Sequence, residues 1–417
     1  MTEETKMDKI VSLCKRRGFV YPGSEIYGGL AGMWDYGPLG IELKNNLKQL
    51  WWKMFVKDRE DMYGLDAAIL MNARTWEASG HVATFTDPLD NGQPFNVMFK
   101  TAVGALEPQI SYLRPETAQG IFANFKNVVD SFHPKLPFGI GQIGKAFRNE
   151  IAPRDFIFRS REFEQMEIEY FVRPDEWEKS FEEWRLVLWR WIEMIGLDKN
   201  SIHELEVPDG ERAHYSKRTI DFEYDFPFGR KELYGLAYRA DYDLSQHQKF
   251  SGQNSEYLDE TSGKKLLPHV IEPSLGVDRT ILAVLVSAYC EDELGGEKRI
   301  FLKLKPNLAP VKVAVFPLLK NKPQLVKKAR EIYQSLKSSV IGHQSVVFDD
   351  NGNIGKRYRR QDEIGTPFCI TVDFDTLGEK PELKDTVTLR HRDTGEQERV
   401  KIEELSSRLT RKFTVIH

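Results

Sequence analysis

The sequence predicts an α+β protein in two parts: an antiparallel sheet with flanking helices, then a smaller α/β layer. Three observations predict it. Residues 147–170 alternate as two strands around a polar break. Residues 41–55 and 175–196 carry apolar side chains at helical spacing. After Lys305-Pro306-Asn307-Leu308-Ala309-Pro310, short strands and helices alternate, the signature of an α/β unit.

Taken in order, Gly37-Pro38-Leu39-Gly40 leads into the first helix, with Leu43, Leu47, Leu50, Trp51 and Phe55 on one stripe. That stripe packs within its own chain or against a second copy; the pattern leaves both open. The strand pair follows. Its first strand, headed by Phe147, breaks at Pro153-Arg154-Asp155, and its second, residues 156–170, sets Phe156, Phe158 and Ser160 on one side and Phe163, Gln165 and Glu167 on the other. In residues 175–196, Trp177, Phe181, Trp184, Leu188, Trp191, Ile192 and Ile195 form a core stripe against a sheet. Beyond the linker come a strand at 311–318 and a helix opened by Pro323 and striped by Leu325, Val326, Ala329, Ile332, Tyr333 and Leu336. A strand at 346–348 precedes a basic helix at 354–364 with Lys356, Arg357, Arg359 and Arg360. A strand at 368–374 and a hairpin of 386–392 with 397–402 around Asp393-Thr394-Gly395 complete the unit. The domains are expected at 1–305 and 306–417.

Composition narrows the class. The 417 residues are 41% hydrophobic and 29% charged, as in a globular protein with a large core. No apolar run approaches a membrane span, and Glu3, Glu4, Lys6, Asp8 and Lys9 are unlike a signal peptide. Cys14, Cys290 and Cys369 are too dispersed for a zinc cluster and odd in number, as expected of reduced thiols in a cytoplasmic protein. The net charge of -4 is uneven: residues 306–417 hold about 20 basic and 15 acidic side chains on an otherwise acidic body. A mildly basic module is compatible with a nucleic-acid partner.

Residues 147–170 carry the chemistry. Arg148, Arg154, Arg159 and Arg161 alternate with Glu150, Glu162, Glu164, Glu167 and Glu169, among Phe147, Phe156, Phe158 and Phe163. Arginine forks bridge phosphate oxygens and stabilise charge growing on phosphorus. Gathered carboxylates suit an ammonium group or Mg2+. A solvated hairpin with cross-strand ion pairs is the plain alternative for any one pair.

Phe147-Arg148-Asn149-Glu150 resembles the second signature motif of class II aminoacyl-tRNA synthetases. The longer string resembles homodimeric glycyl-tRNA synthetases, as do residues 18–40, Tyr112 to Phe125 (YLRPETAQGIFANF), Arg239 to Gln246 (RADYDLSQ) and Glu272 to Arg279 (EPSLGVDR), in the family's order. The resemblance implies ATP-dependent activation of glycine and its transfer to tRNA(Gly), in a homodimer away from membranes, with a C-terminal anticodon-binding domain.

The resemblance also implies site residues. ATP would lie against Arg148, Asn149 and Glu150, the run Phe158, Arg159, Ser160, Arg161, Glu162 and Phe163, the pair Glu232 and Leu233, and Gly276, Val277, Asp278 and Arg279. Arg148 matches the arginine on the α-phosphate and Arg279 the one on the γ-phosphate, the two catalytic positions. Glycine would meet Glu116, Phe163, Glu164, Gln165, Met166, Glu167, Glu272, Pro273, Ser274, Leu275 and Gly276. Glu232 with Glu272 would bind Mg2+. A pocket for glycine must grip the ammonium and leave no room for a methyl.

One departure stands out. Only Pro-Leu-Asp-Asn-Gly-Gln-Pro separates Asp87 from Phe95, where many relatives insert an element with a Cys-x-x-Cys pair and a substrate-contacting arginine. No structural zinc is therefore expected. The threonine in Phe99-Lys100-Thr101-Ala102-Val103-Gly104 also lacks a following histidine. The rival readings are a regulatory protein that keeps the fold without the site, and a synthetase for another small amino acid.

Overall fold

The site rests on a seven-stranded sheet whose two faces do different work. A computed structural model describes residues 4–260, 263–338 and 346–413. In the sheet, the strands run in the order Ile202–Glu206, Arg218–Phe226, Gly229–Ala240, His269–Gly276, Glu162–Val172, Phe138–Phe147 and Met62–Gly64. All neighbours are antiparallel except the last pair. Because side chains alternate, Met166, Ile168 and Tyr170 point into the large core while Gln165, Glu167 and Glu169 point to the other face.

The core face is closed by helices Pro38–Trp52, Trp177–Ile195 and Val277–Ala288, which contribute Leu43, Leu47, Trp51, Trp184, Trp191, Ile281 and Leu285. The stripe of the first helix is thus buried within its own chain, which settles the choice left open by the sequence. The opposite face is apolar at one end, where Phe138, Ile140, Phe171 and Val270 lie beneath helix Ala118–Phe132, and acidic in the middle.

The hairpin exists, but not where alternation placed it. Its first strand, Phe138–Phe147, ends where the expected strand began, and the register runs from Phe138 opposite Phe171 to Phe147 opposite Glu162. Residues 148–161 form a long loop. Asp155 and Phe156 take positive φ values of 60° and 58°, incompatible with a strand, and Phe156–Phe158 is a single 3-10 turn. The alternation of Phe156, Phe158 and Ser160 was therefore a loop pattern.

In the C-terminal unit every expected element is present within a few residues. The order is Val346–Phe348, Val313–Pro317, Phe368–Val372, Thr386–His391 and Gln397–Lys401, parallel in the first three and antiparallel after. Helices Pro323–Lys337 and Ile354–Ile364 match the reading, and a final helix, Leu405–Phe413, was not foreseen. Leu308, Ala309 and Val311 belong to the first core and Val313 to the second, so the cores part near residue 312.

Candidate active site

Two adjoining pockets open on the polar end of the sheet, and Arg148 lines both. The first, about 130 Å³, is bounded by Arg148, Phe163, Glu232, Gly276 and Arg279. The second, about 380 Å³, is bounded by Glu116, Glu167, Glu272 and Ser274. Arg148 therefore stands at the junction. Its guanidinium lies between the rings of Phe85 and Phe163, 5.3 and 5.2 Å from their centroids, and its Nε donates to the Pro115 carbonyl at 3.1 Å. Aromatic faces on both sides aim its terminal nitrogens and spend none of their hydrogens.

Arg279 follows Gly276 at the start of helix Val277–Ala288. It packs over Phe158 at 4.5 Å and meets Glu232 at 3.1 Å. Arg159 turns to Glu150 at 2.6 Å and Asp87 at 3.2 Å, so the short hairpin at Asp87 holds a residue that lines the first pocket.

The second pocket is built from carboxyl groups. Ser274 lies opposite Glu167 and donates to it at 2.8 Å. Thr117 donates to Glu167 from its backbone at 3.1 Å and its hydroxyl at 2.5 Å. Arg239, fully buried, spends its Nε and Nη2 on Asp243 and its Nη1 on Glu272 at 2.9 Å. Glu169 lies beside Glu167 and Glu272, and neither of its oxygens has a donor among the described residues. Arg239 thus binds Asp243 and Glu272 directly and acts through space on Glu116, Glu167 and Glu169, with His81 beside Glu116 and Arg114 near Glu167 as the other positive partners.

The acidities of these carboxyl groups record the imbalance. Burial works to raise Glu116, but His81, then Arg239, outweigh it and hold the carboxyl well below the usual range. Burial and repulsion from Glu116 raise Glu167, and burial and Glu272 raise Glu169 strongly. Glu272 is pushed to about 8 by burial, against Arg239 and with Glu167 and Glu116 adding to the rise. A site with more buried carboxyl groups than cations asks for one more cation.

The structure gathers Glu116, Glu167 and Glu272 in the second pocket and Glu150, Phe158, Arg159, Ser160, Phe163, Gly276 and Arg279 in the first, while Gln165, Glu232 and Ser274 line both, as Arg148 does. Several expected residues contribute less. Met166, Leu275 and Val277 are core residues with no exposed side chain, and Leu233 is nearly as buried; each offers the site only backbone. Glu164 borders the first pocket but is bound by Lys44 at 2.8 Å and Lys48 at 3.0 Å, so it does not hold the ammonium. Asp278 receives Tyr36 at 2.5 Å and the Glu164 amide at 2.7 Å, tying helix to sheet.

Arg161 donates to the carbonyls of Ala31 and Glu150, bracing the loop around Gly32 instead of facing phosphate. Asn149 pairs through its amide with Val97, Glu162 takes Lys145, and Pro273 lies in the strand opposite Leu236. Glu232 and Glu272 both line the second pocket but start from well-separated places on the sheet. Glu272 opposes Ala237, five residues along the strand from Glu232, about 16 Å at strand rise.

The sequence reading did not name Asp221, His81, Gln119 or Asp243, the second partner of Arg239. Asp221 lies across from Gly235 and is pushed up to about 7 by burial and by Glu232 and Glu223, against Arg279. Arg239 ends a strand and Asp243 opens the following helix, four residues on in the string RADYDLSQ, and that nearness of opposite charges was the available signal.

Comparison with known proteins agrees with this geometry. Residues 106–288 match the tRNA synthetase class II core domain (G, H, P, S and T), and residues 312–412 match the anticodon binding domain. The chain is 48% identical to a glycine--tRNA ligase of Clostridium acetobutylicum over 473 aligned positions, covering 99% of this chain and 100% of that one. A glycine--tRNA ligase of Thermus thermophilus is 46% identical over 498 positions, covering 96% and 97%. Both alignments are longer than the 417 residues here, in keeping with the short connection after Asp87. With an Arg148 junction, a carboxyl-lined pocket and relatives of this identity along its whole length, the chain belongs to the glycine--tRNA ligase family of class II aminoacyl-tRNA synthetases.

Proposed function

We propose that this chain joins glycine to ATP as glycyl-adenylate and transfers the glycyl group to the terminal ribose of tRNA(Gly). The observation that carries the reading is the cation-poor cluster of Glu116, Glu167 and Glu272 beside Arg148. Held there by its ammonium, glycine presents its carboxylate at the junction of the pockets. That carboxylate attacks the α-phosphorus, the bond to the bridging oxygen breaks, and pyrophosphate leaves. A ribose hydroxyl then attacks the carbonyl and AMP leaves. Such chemistry needs positioning and neutralisation of charge more than a base. Arg148 serves the α-phosphate and Arg279 the distal phosphates.

Mg2+ fits Glu232 with Asp221 better than Glu232 with Glu272: Asp221 and Glu232 repel each other at the pocket edge, and a cation would relieve them. When bound, it would neutralise charge on the phosphates. Residues from about 312 onward serve the anticodon. We assign a homodimer because Ile26, Tyr27 and Leu30 in one loop and Leu106 and Ile110 in another are more than half exposed, apolar surface that a second copy would cover. We place the enzyme in the cytoplasm, where its three free cysteines stay reduced.

Isotope exchange between pyrophosphate and ATP tests the reading. Glycine should support it and alanine and serine should not; comparable exchange with alanine would sink the glycine assignment. Light scattering tests the dimer.

A further inference from the structure

Glu116 stands on a loop, and a carboxylate on a loop grips an ammonium well only if something fixes it. Two side chains do. Gln119 donates its Nε2 to Glu116 Oε1 at 2.9 Å, using the other hydrogen for Asp243 at 3.0 Å. On the opposite oxygen, Oε2, lies His81 Nε2 at 3.2 Å. His81 is itself buried, between the rings of Trp76 at 5.6 Å and Phe85 at 5.1 Å. Its Nδ1 meets Ser79 Oγ at 2.8 Å, and Ser79 lies 3.3 Å from the Trp76 carbonyl. Gly80 makes the turn between them at φ 85°, a conformation that favours glycine.

The hydrogen-bond inventory fixes the hydrogen that matters. A carboxylate only accepts, so Nε2 must donate whichever way the Ser79 hydroxyl turns. The Phe85 ring packs His81 on one side and supports the Arg148 guanidinium on the other. The ammonium grip and the phosphate grip thus share one aromatic wall.

We propose that His81 is a positioning residue for glycine: its Nε2–H holds the Glu116 carboxylate so that the remaining lone pairs meet the α-ammonium. This rests on glycine being the substrate, a point that exchange by the unaltered enzyme decides separately. If that enzyme shows no glycine-dependent exchange, the substrate reading fails whatever His81 does.

Two substitutions separate the histidine nitrogens. Glutamine places an amide nitrogen near the Nε2 position, and asparagine places one near Nδ1. His81→Gln should keep the Glu116 contact and lose Ser79, with the KM for glycine within about threefold of normal. His81→Asn should keep Ser79 and lose Glu116, raising the KM for glycine roughly tenfold or more, the scale of a charged hydrogen bond. In both, the KM for ATP should stay within about twofold, because Arg148 and Arg279 are untouched. A structural histidine would not split this way. Equal losses in both variants, a normal glycine KM in His81→Asn, or a parallel rise in the KM for ATP would overturn the proposal. So would failure of both variants to fold, since His81 would then be a structural residue.

Discussion

Arg148 and Arg357 are both arginines in basic, aromatic-flanked sequence, yet the fold uses them in opposite ways. Arg148 is held by ring faces and one carbonyl, and its terminal nitrogens stay available at the junction of two pockets. Arg357, on the helix read from sequence as a basic surface, is buried, and it donates to the carbonyls of Pro317, Asp350 and Gly352. Its neighbours are spent likewise: Arg360 on Asp349 at 2.7 Å and Arg359 on Glu297 at 3.2 Å. Arg390 and Arg299 clamp Asp362, which lies on the same helix. Charge in a sequence therefore says nothing of its availability. What distinguishes the two sites is whether carbonyls and carboxylates, or π faces, surround the cation.

The largest expected effect breaks that pair apart. Arg148→Ala should cut glycine-dependent exchange by about 100-fold or more, on the order of 3 kcal/mol, because a fixed donor to developing charge is removed. Its melting temperature should stay near normal, as the side chain makes a single hydrogen bond among the described residues. Arg357→Ala should do the reverse, costing about 3 kcal/mol of stability as three carbonyls lose their donor, while each folded molecule activates glycine normally. Melting curves and exchange rates on both variants check this. A stable, fully active Arg148→Ala enzyme would remove the junction from the mechanism.

A second comparison sets fixed cations against titrating acids. Arg148 and Arg279 face the phosphates, whereas Glu272 faces the ammonium and is pushed up to about 8. Its carboxyl is mostly neutral at pH 7 and ionised at pH 9, so the ammonium gains a partner as pH rises. The KM for glycine should fall several-fold between pH 7 and 9, while that for ATP changes little. The sign carries over to stability. A carboxyl raised in the fold favours folding at low pH, and that contribution is lost as pH rises through about 8. Glycine should accordingly protect against unfolding more at pH 9 than at pH 7. A glycine KM that is flat across this range would mean that Glu272 is ionised throughout.

What was legible follows the same division. Strands and helices with strong periodicity were found, because burial of one face is written locally: the C-terminal sheet and the stripe of helix Trp177–Ile195 needed no long-range knowledge. The break at 153–155 was read as loop, but the flanking residues 148–152 and 156–161 were misread as strand because the aromatic residues among them, Phe156 and Phe158, also alternate, and the positive φ at Phe156 breaks that pattern. Of the residues named on motif strings, Glu116, Arg148, Phe163, Glu167, Glu232, Ser274 and Arg279 line the two pockets. Those one position along the strand, Met166 and Leu275, do not, since strand alternation sends them to the core. His81 and Gln119 were invisible because their roles depend on contacts with Glu116 and Asp243 across the fold.

The smallest expected effect concerns Lys356, on the same helix as Arg357. Lys356 is exposed, and no ion pair is shown for it among the described residues, whereas Arg357, Arg359 and Arg360 are all committed. It borders a groove with Arg17, Asn353 and Arg390. If this face follows the tRNA backbone, Lys356→Ala removes one phosphate contact. The KM for tRNA should rise about two- to threefold, and the slope of log affinity against log salt should shrink by about 0.7 to 0.9. Exchange with glycine and the melting temperature should not move, because the side chain is exposed and forms no ion pair among the described residues. The measurement is worth making at two salt concentrations, since an effect of this size disappears into screening at high ionic strength. An unchanged salt slope would show that the positive excess of the C-terminal unit is a solvated face, and that tRNA is held elsewhere.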